Sequence, residues 1–327
     1  MPWQNAPRLN KLTAAQNGGN RGAQLWGVDF KGQLYTIYQK TPGGEWSSWI
    51  KNDWAPRNHP KYVYELGACQ LGDGRIKLWV LDMKREIWTV EQQTPGGDWN
   101  NWWHSSTNKW NRAPGTFKKF GPTHMMRSAN QLNDWPGAAM FIGLKEEGQL
   151  SVCYSAGHDS WSRFRDNWNG ASSLIEVTSC QQGKDGKVSV WGIDDKRQLW
   201  GCGEETPGTG NFGGWVGPNW LGAPKLRNIA GVEGSHGAII VGQDEDYCVR
   251  TNFQAGPGAS AWIGWSGPNW ANAPMSYELT ACGQNNGTAQ IWAITLKQNL
   301  TSIAQTEPGR WPDRWSDYDP PDPPTHQ

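Results

Sequence analysis

Short apolar segments recur along the chain, each cut off by residues that turn it. The clearest is Gln24-Leu25-Trp26-Gly27-Val28-Asp29. It returns as Lys77-Leu78-Trp79-Val80-Leu81-Asp82, Ser189-Val190-Trp191-Gly192-Ile193-Asp194 and Gln290-Ile291-Trp292-Ala293-Ile294-Thr295. Weaker copies are Ala139-Met140-Phe141-Ile142-Gly143 and Ala238-Ile239-Ile240-Val241-Gly242. With Trp26, Trp79, Phe141, Trp191, Ile240 and Trp292 as anchors, the intervals are 53, 62, 50, 49 and 52 residues. A near-constant period of this length marks a repeat architecture.

Each copy predicts four strands. A small-residue strand, such as Leu66-Gly67-Ala68-Cys69 or Leu279-Thr280-Ala281-Cys282, runs into Asp73-Gly74, Asp185-Gly186, His236-Gly237 or Asn286-Gly287. These dipeptides accept positive φ and close hairpins. The anchor strand follows, then a third strand such as Leu34-Tyr35-Thr36-Ile37 or Leu199-Trp200-Gly201-Cys202. A Thr-Pro-Gly loop leads to a Trp-rich fourth strand, Trp46-Ser47-Ser48-Trp49 or Trp99-Asn100-Asn101-Trp102. The expected fold is therefore all-β: a six-bladed β-propeller of four-stranded antiparallel blades. A solenoid is disfavoured, since its terminal repeats become polar caps. The reading is one domain over residues 1–319, with copies starting near 8, 61, 115, 172, 225 and 275, and a Pro-rich tail over 320–327.

The ends of the copies predict how the ring closes. Trp110-Asn111-Arg112-Ala113-Pro114, Trp220-Leu221-Gly222-Ala223-Pro224 and Trp270-Ala271-Asn272-Ala273-Pro274 share one pattern, with remnants at Trp168-Asn169-Gly170-Ala171 and Trp54-Ala55-Pro56. The sixth copy stops at Trp315-Ser316-Asp317-Tyr318 without it. The missing piece stands at the start of the chain, as Trp3-Gln4-Asn5-Ala6-Pro7. The amino-terminal segment is thus expected to complete the last blade, with Trp3 beside the sixth repeat and near Trp315.

Composition narrows the function. Thirty basic residues balance 30 acidic ones, without the clustered Lys and Arg that nucleic acid or anionic lipid would call for. No apolar run is long enough for a membrane helix, so no membrane insertion is expected. The first residues lack the charged and apolar regions of a secretory signal, which predicts a cytoplasmic protein or one released without such a signal. The six Cys form no CxxC pair; Cys153 and Cys202 fall where other copies carry Ile37, Val90 and Ile303, and Cys180 and Cys282 where the first copy carries Ala15, as small buried hydrophobes with free thiols do. No metal or cofactor motif is present.

Twenty-four Trp in 327 residues imply a repeated role. The anchors Trp26, Trp79, Trp191 and Trp292 give way to Phe and Ile in eroded copies and read as packing. The passages between copies read differently. Gly217-Pro218-Asn219-Trp220 and Gly267-Pro268-Asn269-Trp270 set an amide beside an indole on a surface junction, as do Asn52-Asp53-Trp54 and Asp166-Asn167-Trp168. Pyranoses stack their C–H faces on indoles while their hydroxyls need fixed polar partners. The candidate ligand-binding residues are accordingly Asn219, Trp220, Asn269 and Trp270, then Asp53, Trp54, Asn167 and Trp168, and finally Trp110 and Trp3. A purely structural wedge between copies is the competing reading for each Trp. The pairs Glu146-Glu147, Asp194-Asp195 and Glu204-Glu205 lie beside turns and read as solvated charge, and Asp244-Glu245-Asp246 is the one place suited to a weak cation site. The six His are dispersed, with no HExxH.

Leu25-Trp26-Gly27-Val28-Asp29 with Gly32-Gln33-Leu34-Tyr35, and Thr94-Pro95-Gly96-Gly97-Asp98-Trp99-Asn100-Asn101-Trp102, resemble repeats of the tectonin-like and PLL-like β-propeller lectins. The resemblance implies a closed ring with several shallow glycan sites, often between blades, and no catalysis. It makes glycans or glycoconjugates the expected partners, bound multivalently, with homo-oligomerisation left open. A protein-interaction scaffold and a propeller hydrolase or lyase are the alternatives.

Overall fold

The computed structural model describes residues 3, 5–19, 21–51, 60–104, 117–121, 139–155, 165–166, 168–170, 173–182, 186–207, 211–284 and 286–316. Among these residues the chain forms six antiparallel sheets of three or four strands, each built from consecutive segments. The first sheet takes Leu9–Gln16, Ala23–Asp29, Leu34–Tyr38 and Ile50–Lys51 in that order. The innermost strands of the others are Val63–Gln70, Phe117–Phe120, Leu174–Gln182, Leu226–Gly234 and Ser276–Gly283. Turn chemistry explains the hairpins: Gly74, Gly186, Gly237 and Gly287, which follow the first strand, all have positive φ.

The inner strands pack side by side in cyclic order, and the first also packs on the sixth, where the Tyr277 hydroxyl donates to the Leu9 carbonyl at 2.7 Å. The apolar interior is a set of six seams, one between each pair of successive sheets. Trp26, Trp79, Trp191 and Trp292 are fully buried in these seams, as expected of packing residues.

Pairing corrects the repeat alignment at two places. Trp26, Trp79, Trp191 and Trp292 pair with Thr13, Gly67, Thr178 and Thr280. In the fifth sheet the residue at that register is Val241, opposite Ala230, and in the third it is Ile142. Phe141 and Ile240, taken as anchors from the sequence, stand one residue earlier and point to the other face. Both faces of these strands are buried, so the eroded copies carry no polar alternation to set the phase.

The fourth strand also differs from expectation. Trp46 and Trp99 make only isolated bridges to Gln39 and Gln92, and the strands proper are the two-residue segments Ile50–Lys51 and Trp103–His104. Trp46 leaves the sheet edge because its ring enters the seam beside Trp292, 5.9 Å away and edge-on.

Every inner strand has a register irregularity directly after its first residue. Such bulges re-aim the side chain that follows. The first paired residue past each bulge is Lys11, Glu65, Lys119, Glu176, Asn228 or Glu278, all at one height around the ring.

Candidate functional site

The junction tryptophans are built on a recurrent tight turn. Trp220–Gly222 and Trp270–Asn272 are short 3-10 turns, closed by Ala223 N–H to the Trp220 carbonyl and Ala273 N–H to the Trp270 carbonyl. Asn219 and Asn269 precede them in the left-handed region, φ 58° and 56°, and make no side-chain capping bond. Asn tolerates this conformation better than most residues, so its presence has a backbone reason as well as any binding role. Trp3 makes the equivalent hydrogen bond, with Ala6 N–H donating to its carbonyl at 2.9 Å.

Each of these indoles meets an aromatic ring from the following sheet. Trp220 lies 5.0 Å from Trp262, Trp270 lies 5.1 Å from Trp311, Trp168 lies 4.7 Å from Phe212 and Trp3 lies 5.1 Å from Trp46. Trp3 therefore sits between the first and sixth sheets, in the cluster of Trp292, Ile294 and Leu300. Trp315, its expected neighbour, packs instead in the seam between the fifth and sixth sheets.

At that seam a cavity of about 530 Å³ opens to solvent. Trp270 and Trp311 line it with rings at 79°, joined by Phe253, Ile239 and Ile263. His236 and Asp313, both exposed, supply charged or polar groups, and the buried amides Gln254 and Gln305 lie deeper. Such a site offers apolar rings for a C–H face and polar groups at its edge for hydroxyls.

Two recurrent devices hold the loops at these junctions. Gln39, Gln92, Gln254 and Gln305 are buried, and each accepts the backbone N–H of the residue 16 positions earlier at 2.8–3.0 Å. Glu204 does the same for Val188 at 3.1 Å, so it is a buried clamp and not the solvated charge the sequence suggested. The signal was available: each of these residues stands three positions ahead of the proline of a Pro-Gly loop. The second device is Asp29, Asp82, Asp194 and Asp244. One oxygen of each accepts N–H groups two and four residues on. The other oxygen accepts from Tyr35, Trp88, Trp200 or Arg250. The Asp244 carboxylate is thereby occupied, and the described residues hold no cluster of three or more metal-ligating side chains.

The channel carries a charged ring that the sequence reading missed. Lys11 lies 3.3 Å from Glu278 and 3.7 Å from Glu65, Lys119 pairs with Glu176, and the Asn228 amide donates to Glu278 at 3.2 Å. Burial alone would lower the Lys11 pKa, but the carboxylates of Glu278, Glu65 and Glu176 raise it above the ordinary lysine range. Burial raises the Glu278 pKa, and Lys11 and Lys119 offset this only in part, since three carboxylates face two ammonium groups. The space left at this level is about 30 Å³, room for about one water molecule.

No family model and no curated protein sequence matches the chain. Solved structures do. The lectin of Aleuria aurantia, described as a six-bladed β-propeller with a novel fucose recognition mode, is 11% identical, with 97% of each chain covered and a TM-score of 0.62. AofleA from Arthrobotrys oligospora is 12% identical over 94% of this chain and 86% of its own, also at TM-score 0.62. A lectin from Burkholderia pseudomallei is 14% identical over 92% and 82%, at 0.58. The fold is a six-bladed β-propeller.

In propeller terms, Trp220, Trp270, Trp168 and Trp3 stand at the junctions between blades 4 and 5, 5 and 6, 3 and 4, and 6 and 1. Trp168 and Trp3 are buried, Trp220 and Trp270 half-buried. Asn219 and Asn269 are exposed on the turn before their indoles, and Asn269 does not line the cavity. Asp53, Trp54, Trp110 and Asn167 lie outside the described residues. Trp311, His236 and Asp313 belong to the cavity and escaped the sequence reading, because Trp311 falls in a degenerate loop copy and the other two have no repeat equivalent in kind.

Proposed function

We propose that this propeller is a carbohydrate-binding protein, with shallow glycan sites at blade junctions and no catalytic role. The observation that carries the reading is the cavity between blades 5 and 6, where Trp270 and Trp311 present apolar rings beside His236 and Asp313. The fold supports it, since the similar Aleuria aurantia protein is a fucose-specific lectin. The equivalent ring pairs Trp220–Trp262, Trp168–Phe212 and Trp3–Trp46 support repeated sites and multivalent capture, which raises avidity without new contacts. The repeat motifs favour a tectonin-like or PLL-like member, with Asn219 and Asn269 as hydroxyl partners at the junction rims. The charged ring in the channel is paired within itself and leaves no room for a sugar at its own height.

The amino-terminal turn is read as the closing piece of blade 6. Its hydrogen bond and its ring contact repeat those of Trp220 and Trp270. Fourth strands on all blades are part of the same reading, supported by the bridges Gly201–Val216 and Ser302–Ser316 on blades with three strands. The six cysteines form no disulfide and five of them are buried, which fits a cytoplasmic protein. A glycan array probed with the full chain tests the function. Selective binding of one sugar class is expected; absence of binding across the array would overturn the reading.

A further inference from the structure

The turns between second and third strands all emerge on one face of the propeller. Their tips are Phe30-Lys31, Met83-Lys84, Glu146-Glu147, Asp195-Lys196, Glu245-Asp246 and Leu296-Lys297. The apolar tips belong to blades 6, 1 and 2, which are consecutive around the ring. Phe30 is 58% exposed, Met83 65% and Leu296 46%. Each is followed by Lys, and none of these three tips bears a carboxylate; the carboxylates fall on blades 3, 4 and 5.

Neighbouring residues extend the patch. Leu296 N–H bonds the carbonyl of exposed Met275 at 3.0 Å, and Gly32 packs against exposed Tyr62. The Arg85 guanidinium covers the exposed Tyr64 ring at 3.9 Å and pairs with Glu146 of blade 3 at 3.5 Å, at the edge of the patch, while the Lys61 ammonium lies over Tyr62 at 5.4 Å. Folding thus gathers cations and apolar side chains from three repeats that the linear sequence keeps far apart. A zero net charge conceals this.

We propose that this half of the face docks peripherally on an anionic lipid bilayer, with Phe30, Met83 and Leu296 entering the interface and Lys31, Lys84 and Lys297 meeting the headgroups. Large apolar side chains exposed on three consecutive blades of one face, each beside a lysine, point to an interaction site. A lipid interface suits the combination, because apolar tips can enter the acyl boundary while Lys stems reach back to phosphate. A second copy laid face to face fits worse: it would set apolar tips either against lysines or against carboxylates. The acidic tips of blades 3 to 5 tilt the ring so that blades 6, 1 and 2 approach first. The cavity between blades 5 and 6 includes the His236-Gly237 turn at the other end of the strands, so part of its lining lies away from the docked face.

The test is flotation of the full chain with sugar-free vesicles, which separates this site from glycan capture. Partition into phosphatidylcholine–phosphatidylserine vesicles is expected to exceed that into phosphatidylcholine alone by about a hundredfold, for three lysines near the surface, and to weaken with salt. The triple variant Phe30→Ser, Met83→Ser, Leu296→Ser should lose flotation while melting like the parent. Lys31→Glu, Lys84→Glu, Lys297→Glu provides a second, charge-only probe that should lose it too. Absence of flotation with anionic vesicles would overturn the proposal, as would undiminished flotation of either folded variant. A lipid-free dimer abolished by the apolar substitutions would assign the patch to self-association instead.

Discussion

Trp3 and Trp46 stand with ring centroids 5.1 Å apart, the separation that Trp270 and Trp311 keep at another blade junction. Residues at the start of the chain thereby make the contact that other blades make with their own trailing turn. Trp3→Ala empties a buried indole site at the seam between the first and last blades and should destabilise the fold by about 3–5 kcal/mol. Urea denaturation of the variant measures this. A curve superimposed on that of the parent would show that the turn contributes nothing to closure.

The buried amide clamps predict an asymmetric response. Gln39→Ala strands the buried Ala23 N–H and should cost about 1–3 kcal/mol. Gln39→Glu keeps an acceptor, as Glu204 does naturally in blade 4, and should cost less. Equal losses in the two variants, measured by thermal melts, would contradict the clamp role.

These clamps also show where sequence reading stops. The repeat, its hairpin turns and the buried Trp26, Trp79, Trp191 and Trp292 were legible because turn residues and large apolar side chains keep fixed spacing. The phase of Phe141 and Ile240 was not, since a strand buried on both faces has no polar alternation to fix it. The ring of Lys11, Glu65, Lys119, Glu176, Asn228 and Glu278 was hidden for another reason. Opposite charges in separate repeats look like scatter until the bulges and the ring bring them to one height. Of the site, the junction indoles Trp220 and Trp270 were legible from the Asn-Trp pattern, whereas Trp311 and Asp313 come from the next blade and meet Trp270 only in the fold.

Glu278 predicts a pH dependence. Its pKa is raised by burial above the ordinary 4.5, so the folded protein retains this proton to higher pH than the unfolded chain. Stability from this group is full below the unfolded value and falls as pH rises through the interval up to the raised one. Glu278→Gln should flatten that fall. Chemical denaturation across a pH series reads it, and an unchanged slope would place the titration elsewhere.

Asn269 has a conformational role and a proposed recognition role, and two substitutions separate them. Asn269→Ala strains a left-handed position by about 1–2 kcal/mol, whereas Asn269→Gly leaves the turn relaxed and removes the amide. If the amide meets a glycan, both variants lose affinity and only the alanine form loses stability. Full affinity in the glycine variant would confine Asn269 to shaping the turn.

Glycan binding at the blade junctions is measured by calorimetric titration of an array-selected glycan into the full chain and into Trp311→Ala. Several equivalents should bind per parent chain and fewer to the variant, with the cavity between blades 5 and 6 silenced and the remaining junctions unaffected. An identical isotherm for the folded variant would contradict the assignment of a glycan site to the Trp270–Trp311 junction.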